Sequence, residues 1–471
     1  MSLFDDIHTI TNEHVKDRQS AHRYLETVCA EMDALGRDIQ AVRHIEEDFA
    51  HQQIDQLFDT DPGQRGPLHA VPLAHKELYG RKPETGAGWL YEGGSASCQG
   101  ERAIETAHVI KKLDAAGAVD CARTVSVEYA LGVTGHNNYA GTPLNPWNHD
   151  YICGGSSSGS GAVVAAGIVP VSLGSDTGGS IRLPAAACGL IGIKPTHGLV
   201  SRSGVFPLSV SLDTVGPLSR TVRDSAMLLT QIAGYDSEDP LSIKVPKIDY
   251  LSYLDRPVDG IRLGLETKYF LSGTDSDIAD LISAAFEETE AFGARLSEAQ
   301  IADIDTTNPL NVLMISSEAC HVHIDRLVER HNEMNPQTVM RVLTGLSSTQ
   351  EIEDRLAATR AGLAARIIED IFADIDVFVT PVWPFALPTI ADSDVGAKPE
   401  AAALMQHIGH NTRPVNFLGL PAIVVPIGFD KNGLPVSMQL VGKPYSEGVL
   451  IALARQCEKH FSFWDNRPPT G

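Results

Sequence analysis

The spacing of apolar residues divides this 471-residue chain into alternating helical and strand-like segments. Apolar residues at helical spacing predict helices over 21–35, 39–57, 103–116, 222–232, 277–292, 351–372 and about 447–460. Short apolar runs bounded by turn residues predict strands at 68–74, 117–122, 169–173, 261–265, 376–380, 422–426 and 434–441. Helices that alternate with strands in this way indicate an α/β fold.

The same pattern indicates one domain, residues 1–471, with four regions and no internal repeat or linker. Residues 1–60 are expected to form a helical lead-in, and 65–235 hold the glycine-rich segments with candidate chemistry. Residues 236–375 are mostly helical and are expected to shape the substrate site. Residues 376–471 return to strands and a last helix, which would complete the sheet.

Composition narrows the range of partners. Sixty acidic residues against 37 basic ones give a net charge of −23, and such a surface repels nucleic acid and acidic membranes. The N-terminal sequence lacks the basic and apolar stretches of a secretory signal, and no apolar run reaches membrane-spanning length. We therefore expect no nucleic-acid partner, no membrane association and a cytoplasmic location.

Cysteine usage agrees with that location. The seven cysteines are scattered and never occur as Cys-x-x-Cys, so they predict neither a disulfide framework nor a zinc site. We expect no metal and no cofactor. The cysteines are at positions 29, 98, 121, 153, 188, 320 and 457.

Two glycine-serine segments, 153–161 and 174–182, and Lys76 after a predicted strand are the candidate chemistry. Glycine lets the backbone approach a substrate closely and aim N–H groups at it. Serine is a weak nucleophile near neutral pH and needs a base within hydrogen-bond reach. A lysine can serve as that base once burial has lowered its pKa from about 10.4.

These segments and their flanks resemble the amidase signature family of serine hydrolases, over most of the chain. The likeness rests on ordered motifs at 154–160, 174–185 and 189–196, with matching pieces at 141–147, 211–217, 416–422 and 433–442. Two serines, Ser156 and Ser180, stand 24 positions apart, as in the family motif. His75 and Ser158 depart from it. The resemblance implies a large mixed, mostly parallel central β-sheet with helices on both faces.

The resemblance also implies catalytic roles. Ser180 would be the nucleophile, Ser156 a bridging serine often held by a cis peptide bond, and Lys76 the ultimate base. Asp176 and Arg182 would brace the loop. The predicted oxyanion hole consists of the backbone N–H groups of Thr177, Gly178, Gly179 and Ser180, and the predicted substrate contacts are Tyr129, Gly154 and Gly155.

The function implied is hydrolysis of a small carboxylic acid amide through an acyl-enzyme, by a homodimer. Three alternatives stay open: a glutamine-dependent amidotransferase A-type subunit, a Ser-His-Asp esterase that uses Ser157, and an inactive binding scaffold. Nothing in 236–375 marks recognition of a glutamine carboxylate. The pocket walls are expected to be largely apolar and to come from 89–94, 129–138, 312–324 and 382–416.

Overall fold

The computed structural model describes residues 4–84, 86–396, 398 and 401–469, so the first three residues of the predicted lead-in and a few positions within 376–471 lie outside it. Strands occur throughout the described chain and form a large sheet, a small sheet and a two-stranded ribbon. They are β1 Val42–Ile45, β2 Pro72–Lys76, β3 Val119–Thr124, β4 Leu144–Asn145, β5 Asn148–Ile152, β6 Val171–Asp176, β7 Ile191–Lys194, β8 Thr214–Ser219, β9 Arg262–Glu266, β10 Arg295–Ala299, β11 Val377–Pro381, β12 Ala422–Phe429 and β13 Pro435–Gly442.

Helices separate most of these strands. None of the helices among the described residues is both long and apolar enough to cross a membrane. The α-helices are α1 Ile7–Thr9, α2 Arg18–Glu31, α3 Glu47–Asp59, α4 His108–Ala115, α5 Ser158–Ala165, α6 Arg182–Ala187, α7 Val222–Ile232, α8 Ser276–Glu288, α9 Ile304–Arg330, α10 Pro336–Thr344, α11 Gln350–Ile371, α12 Ile390–Ser393, α13 Ala401–Ile408, α14 Arg413–Leu418 and α15 Glu447–Phe461.

The large sheet has eight strands in the order β10-β9-β11-β13-β12-β7-β8-β6. The α/β class and the large mixed sheet are confirmed, but the expectation of a mostly parallel sheet is wrong. Only β10 with β9 and β9 with β11 are parallel, whereas the other five neighbouring pairs are antiparallel. Antiparallel neighbours need no crossover helix, and the short turn between β12 and β13 makes such a pair directly.

Helices cover both faces of this sheet. Every residue of β6, β8, β11 and β13 is buried. Because successive side chains of a strand point to opposite faces, burial along a whole strand requires cover on both sides. Helix α6 packs on β7, β12 and β13, while α15 packs on β12 and β13 and α8 on β11. The two glycine-serine segments therefore lie inside the protein.

A small sheet carries the lysine to the large one. Its order is β1-β3-β2, and β2 ends at Lys76, as the sequence predicted for a strand end. Strand β2 lies against the edge strand β6, where Ser172 Oγ donates to Ala74 O at 2.6 Å. This contact fixes the end of β2 beside the segment that follows β6.

Individual elements follow the apolar pattern to different degrees. Helix α7 spans Val222–Ile232, the range that the sequence predicted. The predicted helix over 39–57 is wrong at its start, because β1 pairs with β3 there and α3 begins only at Glu47. Tertiary pairing with β3 overrides the local helical spacing. Helix α4 begins at His108, five residues after its predicted start.

Candidate active site

Lys76 lies at the buried end of β2 and points its ammonium group at two hydroxyls. Its Nζ is 2.7 Å from Ser156 Oγ and 2.9 Å from Ser175 Oγ. Burial lowers the pKa of Lys76 to about 7, although the carboxylates of Asp213 and Asp176 act in the opposite direction. Near neutral pH the amine is therefore partly unprotonated and can accept a proton from a neighbouring hydroxyl.

Ser156 follows a cis peptide bond with Gly155, the geometry that the resemblance implied. Its side chain is fully buried, and its carbonyl oxygen accepts the Val127 N–H at 3.1 Å. The loop then enters helix α5 at Ser158. The sequence-predicted pair of Lys76 and Ser156 is thus in direct contact.

Ser157, the nucleophile of the esterase alternative, is bound to backbone instead. Its Oγ donates to Ser175 O and accepts the Ser175 N–H, both at 3.3 Å. The side chain is fully buried, and none of its hydrogen-bond partners in the described chain is a histidine. A Ser-His-Asp arrangement is therefore not assembled at Ser157.

Ser180 lies on the segment between β6 and α6, and it faces a cavity. Its carbonyl oxygen accepts the Ser157 N–H at 3.3 Å, which joins the second glycine-serine segment to the first. Within the described chain, the backbone N–H groups of Gly178 and Ser180 have no protein acceptor. Free donors beside a serine hydroxyl are what an oxyanion hole requires.

A buried ion pair holds this segment in shape. Arg182 Nη2 and Nε each lie 3.0 Å from an oxygen of Asp176, and both side chains are fully buried. The guanidinium holds the pKa of Asp176 well below its usual range despite burial. Asp176 Oδ1 also accepts the Gly179 N–H at 2.8 Å. The bracing role predicted for Asp176 and Arg182 therefore has direct contacts, whereas the Gly179 N–H is already in use and is not free for an oxyanion.

The cavity beside Ser180 has a volume of about 490 Å³, within the usual range for small-ligand sites. Its lining combines three of the predicted walls, near 129–138, 312–324 and 382–416, with residues of α10, and 89–94 contribute nothing. It is largely apolar, as expected. The lining residues are Ala130, Leu131, Gly132, Val133, Thr177, Gly178, Ser180, Leu208, Val312, Ile315, Ser316, Gln337, Met340, Arg341, Thr344, Val395, Ala402, Met405, Gln406 and Arg413.

Two arginines are the charged side chains among the described residues of this largely apolar lining. Arg341 donates from Nη1 to Leu131 O, and Arg413 from Nη1 to Gln406 O at 2.7 Å. Burial lowers the pKa of each to about 10, and the charge of Arg341 contributes to the shift of Arg413. Both remain charged at neutral pH, and the hydrogen-bond acceptors that they contact are neutral.

The predicted substrate contacts lie elsewhere. The Tyr129 ring is fully buried against His323, at a centroid distance of 4.0 Å, and Phe206, at 5.7 Å, and its hydroxyl is bonded to Ser97. Tyr129 packs in a core cluster rather than in the cavity lining. Gly154 and Gly155 also lie outside that lining, next to Ser156.

His75, a departure from the family motif, faces away from the lysine. It is buried against β6, where its Nδ1 accepts the Leu173 N–H at 3.2 Å. Burial lowers its pKa to about 3, so the ring is neutral. His75 therefore adds no positive charge beside Lys76.

Several residues of the site were not singled out from the sequence. Ser175 holds Lys76 from its second side, Arg341 and Arg413 line the cavity, and Asn311 lies beside the lining residue Gly178. Arg413 falls within a predicted wall, but no local signal distinguishes it from its neighbours along the chain. The sequence of 236–375 showed no mark of glutamine carboxylate recognition, and the structure places one residue of this region with a guanidinium, Arg341, in the cavity lining.

Comparison with known proteins assigns the chain to a class. The family model described as Amidase matches residues 23–451, and the chain belongs to this amidase signature family. Enzymes of this family hydrolyse amide C–N bonds, and so the resemblance carried by the motifs is confirmed.

Individual relatives give a finer comparison. The A-type subunit of glutamyl-tRNA(Gln) amidotransferase from Carboxydothermus hydrogenoformans is 35% identical, with 86% of each chain covered. The solved structure of the corresponding Thermotoga maritima protein has a TM-score of 0.81 at 26% identity, and the match covers 97% of this chain and 95% of that one. The peptide amidase PAM, solved with the inhibitor chymostatin, has a TM-score of 0.84 at 26% identity, with 100% of this chain and 99% of that one covered. The relatives therefore support the amidotransferase alternative better than a stand-alone amidase.

Proposed function

We propose that this chain releases ammonia from a small carboxylate-bearing amide, with Ser180 as nucleophile, Ser156 as proton relay and Lys76 as base. The observation that carries the catalytic part is the 2.7 Å contact between Lys76 Nζ and Ser156 Oγ in a fully buried site. A buried lysine with a pKa of about 7 has a large unprotonated fraction at neutral pH.

The reaction proceeds in two halves. Neutral Lys76 takes the Ser156 proton while Ser156 takes that of Ser180, and Ser180 Oγ attacks the amide carbonyl. The oxyanion binds to the free N–H groups of Gly178 and Ser180, and Thr177 N–H is the third predicted donor. Collapse of the tetrahedral intermediate breaks the C–N bond, Ser156 gives its proton to the departing nitrogen, and Lys76 returns the extra proton to Ser156. Water then attacks the acyl-enzyme by the same relay and releases the carboxylate.

The position of Arg341 is the reason for proposing a carboxylate on the acyl group of the substrate. Its guanidinium lines the cavity and, in the described chain, its hydrogen bond goes to a single backbone oxygen, Leu131 O. A guanidinium has five N–H donors and binds carboxylates in a fork. Arg341→Met should raise the KM for a carboxylate-bearing amide by roughly 10- to 100-fold, as loss of a charged hydrogen bond predicts.

The relatives favour a role as the ammonia-producing component of an amidotransferase, and we propose that role ahead of a stand-alone amidase. Fluorophosphonate labelling of Ser180, with ammonia release from glutamine, glutaramic acid and butyramide, tests the chemistry. An unlabelled chain that hydrolyses no amide would support the inactive scaffold. If the chain alone is fully active and added partner subunits do not change its activity, the stand-alone amidase is the better assignment.

A homodimer and a cytoplasmic location stay predictions. Seven buried free cysteines support the cytoplasmic location.

A further inference from the structure

The cavity beside Ser180 has an excess of positive charge. Arg341 and Arg413 are charged, and none of the lining residues that the structure describes carries a carboxylate. A desolvated charge without a counter-ion is costly, and a ligand of opposite charge removes that cost. An ammonium group on the substrate would meet two guanidiniums and, among the described lining residues, no acid, which is unfavourable. The cavity therefore selects for anionic groups and against a free amine.

Arg413 is held by the end of helix α13 but keeps donors for a ligand. Its Nη1 donates to Gln406 O at 2.7 Å and Asn308 Oδ1 at 3.3 Å, and its Nη2 donates to Met405 O at 3.4 Å. Of the five guanidinium N–H donors, Nε–H and one Nη2–H remain without a protein acceptor among the described residues. The contacts with the end of α13 thus orient Arg413 and leave two of its N–H donors for a ligand.

Gly409 makes this position of the guanidinium possible. A Cβ on Gly409 would lie 2.5 Å from Arg413 Cζ and 2.6 Å from its Nε. Such distances are shorter than any real contact, so a side chain at 409 would displace the guanidinium. The observed position of Arg413 in the cavity therefore depends on the absence of a side chain at Gly409.

Asn311 supplies an independent sign of a missing ligand beside Arg413. The Asn311 side chain is fully buried, and neither its Nδ2 nor its Oδ1 has a hydrogen-bond partner in the described structure. Leaving such a group unsatisfied costs about 1–3 kcal/mol. Measured from the position of a Cβ on Gly178, Asn311 Oδ1 is at 3.8 Å and Arg413 Cγ at 3.4 Å. Both side chains therefore lie beside Gly178, a lining residue, with Arg413 in the cavity lining and Asn311 buried directly behind it.

We propose that Arg413 and Asn311 form a second carboxylate subsite, so that the preferred substrate is an amide whose acyl chain carries two carboxylates and no ammonium group. One carboxylate binds Arg341 and the other accepts hydrogen bonds from Arg413 and the Asn311 amide. This inference rests on the proposed amide hydrolysis at Ser180. It narrows that proposal, because the ammonia donor in the amidotransferase role would then be a doubly charged amide rather than glutamine.

The test compares ammonia release from three amides by the full chain. The monoamide of propane-1,2,3-tricarboxylic acid carries two carboxylates, glutaramic acid carries one, and glutamine carries one with an ammonium group. We expect kcat/KM for the tricarboxylic monoamide to exceed that for glutaramic acid by about 10- to 100-fold, the value of one charged hydrogen-bonded contact, and glutamine to be the poorest.

Variants assign the preference to the subsite. Arg413→Met should lower kcat/KM for the doubly charged amide by about 10- to 100-fold and reduce its advantage over glutaramic acid to near unity. Asn311→Ala should raise the KM for the doubly charged amide and leave kcat close to wild type. Arg355→Met, which removes an exposed guanidinium on α11, is the matched control and should preserve the preference. Thermal unfolding shows that each variant is folded.

The outcomes separate the two proposals. Failure to hydrolyse any amide, with Ser180 unlabelled by a fluorophosphonate, overturns the proposed function and the subsite with it. Hydrolysis that favours glutamine or glutaramic acid overturns the subsite alone. Equal losses on both carboxylate amides in Arg413→Met would also overturn it, because a purely structural arginine affects all substrates alike.

Discussion

Two walls of the Ser180 cavity differ in how their polar groups are satisfied. On the wall of the two glycine-serine segments, Lys76, Ser157 and Asp176 all have protein partners before any substrate is bound. On the helical wall, Asn311 has none among the described residues, and Arg341 has a single backbone acceptor there. The lysine, the first glycine-serine segment and the bracing carboxylate are thus positioned by the protein itself, whereas Asn311 and part of the Arg341 guanidinium are left for a ligand to complete.

The largest effect is expected from Ser180→Ala, on the wall of the two glycine-serine segments. Loss of the proposed nucleophile should lower kcat by roughly 10⁴-fold or more, measured as ammonia release. Ser158→Ala is the matched control, since the Ser158 hydroxyl is buried without a partner in the described chain and its removal should cost little. A Ser180→Ala enzyme with near-normal turnover would remove Ser180 from the mechanism.

Lys76→Met should lower kcat by about 10³- to 10⁴-fold, because the relay then has no base. In the wild type, kcat/KM should rise with pH through about 7, as Lys76 loses its proton. Between about pH 7 and the unfolded pKa near 10.4 the unfolded chain binds more protons than the folded one, so stability linked to Lys76 rises with pH in that window.

A second buried lysine provides the control for that profile. Burial also lowers the pKa of Lys194 to about 7, yet its Nζ donates to the backbone oxygen of Pro195 rather than to a catalytic serine. Lys194→Met should therefore keep the inflection of the pH–rate profile near pH 7. Disappearance of the inflection in Lys194→Met, or its survival in residual activity of Lys76→Met, would assign the titration to another group.

Arg182→Met tests whether Arg182 stabilises the fold of the second glycine-serine segment rather than taking part in the reaction. It leaves Asp176 buried without its cation, and such a change typically costs about 3–5 kcal/mol of unfolding free energy, measurable in urea. Because the folded pKa of Asp176 is low, its contribution to stability is present above the unfolded pKa near 3.9 and is lost as pH falls below it. Arg355→Met, at an exposed pair, should change stability by less than about 0.5 kcal/mol.

Tyr129→Phe is expected to have the smallest effect. The substitution removes the hydroxyl that contacts Ser97 in a core cluster, and one lost hydrogen bond costs about 1 kcal/mol of stability. The KM for the amide substrate should stay at the wild-type value, because the ring is outside the cavity lining. A several-fold rise in KM without a loss of stability would restore Tyr129 as a substrate contact.

The catalytic wall could be predicted from the sequence because its chemistry lies in short segments. Ser156, Ser180 and Asp176 occupy fixed positions within glycine-rich motifs, and Lys76 follows an obvious apolar strand. Helix α7 could be predicted equally well, since its apolar spacing and its capping residue Thr221 agree with its packing. Local pattern and tertiary structure coincide in these places.

The polar groups of the helical wall could not be singled out from the sequence, since they meet only after folding. Arg341 is on α10, Asn311 on α9 and Arg413 on α14, and no local pattern marks them as neighbours. Strand β1 was predicted as part of a helix for the same reason. Its partner β3 lies about 80 residues away in the chain. The direction of strand pairs in the large sheet likewise depends on connections that apolar spacing does not encode.

The close approach at Gly409 has a consequence for redesign. A residue with a side chain at 409 and a guanidinium at 413 cannot both occupy the observed positions, so these two sites form a single two-residue unit. An engineer who wishes to change the acyl group accepted by this scaffold would need to exchange both together. Changing either alone would leave a displaced side chain or an empty space.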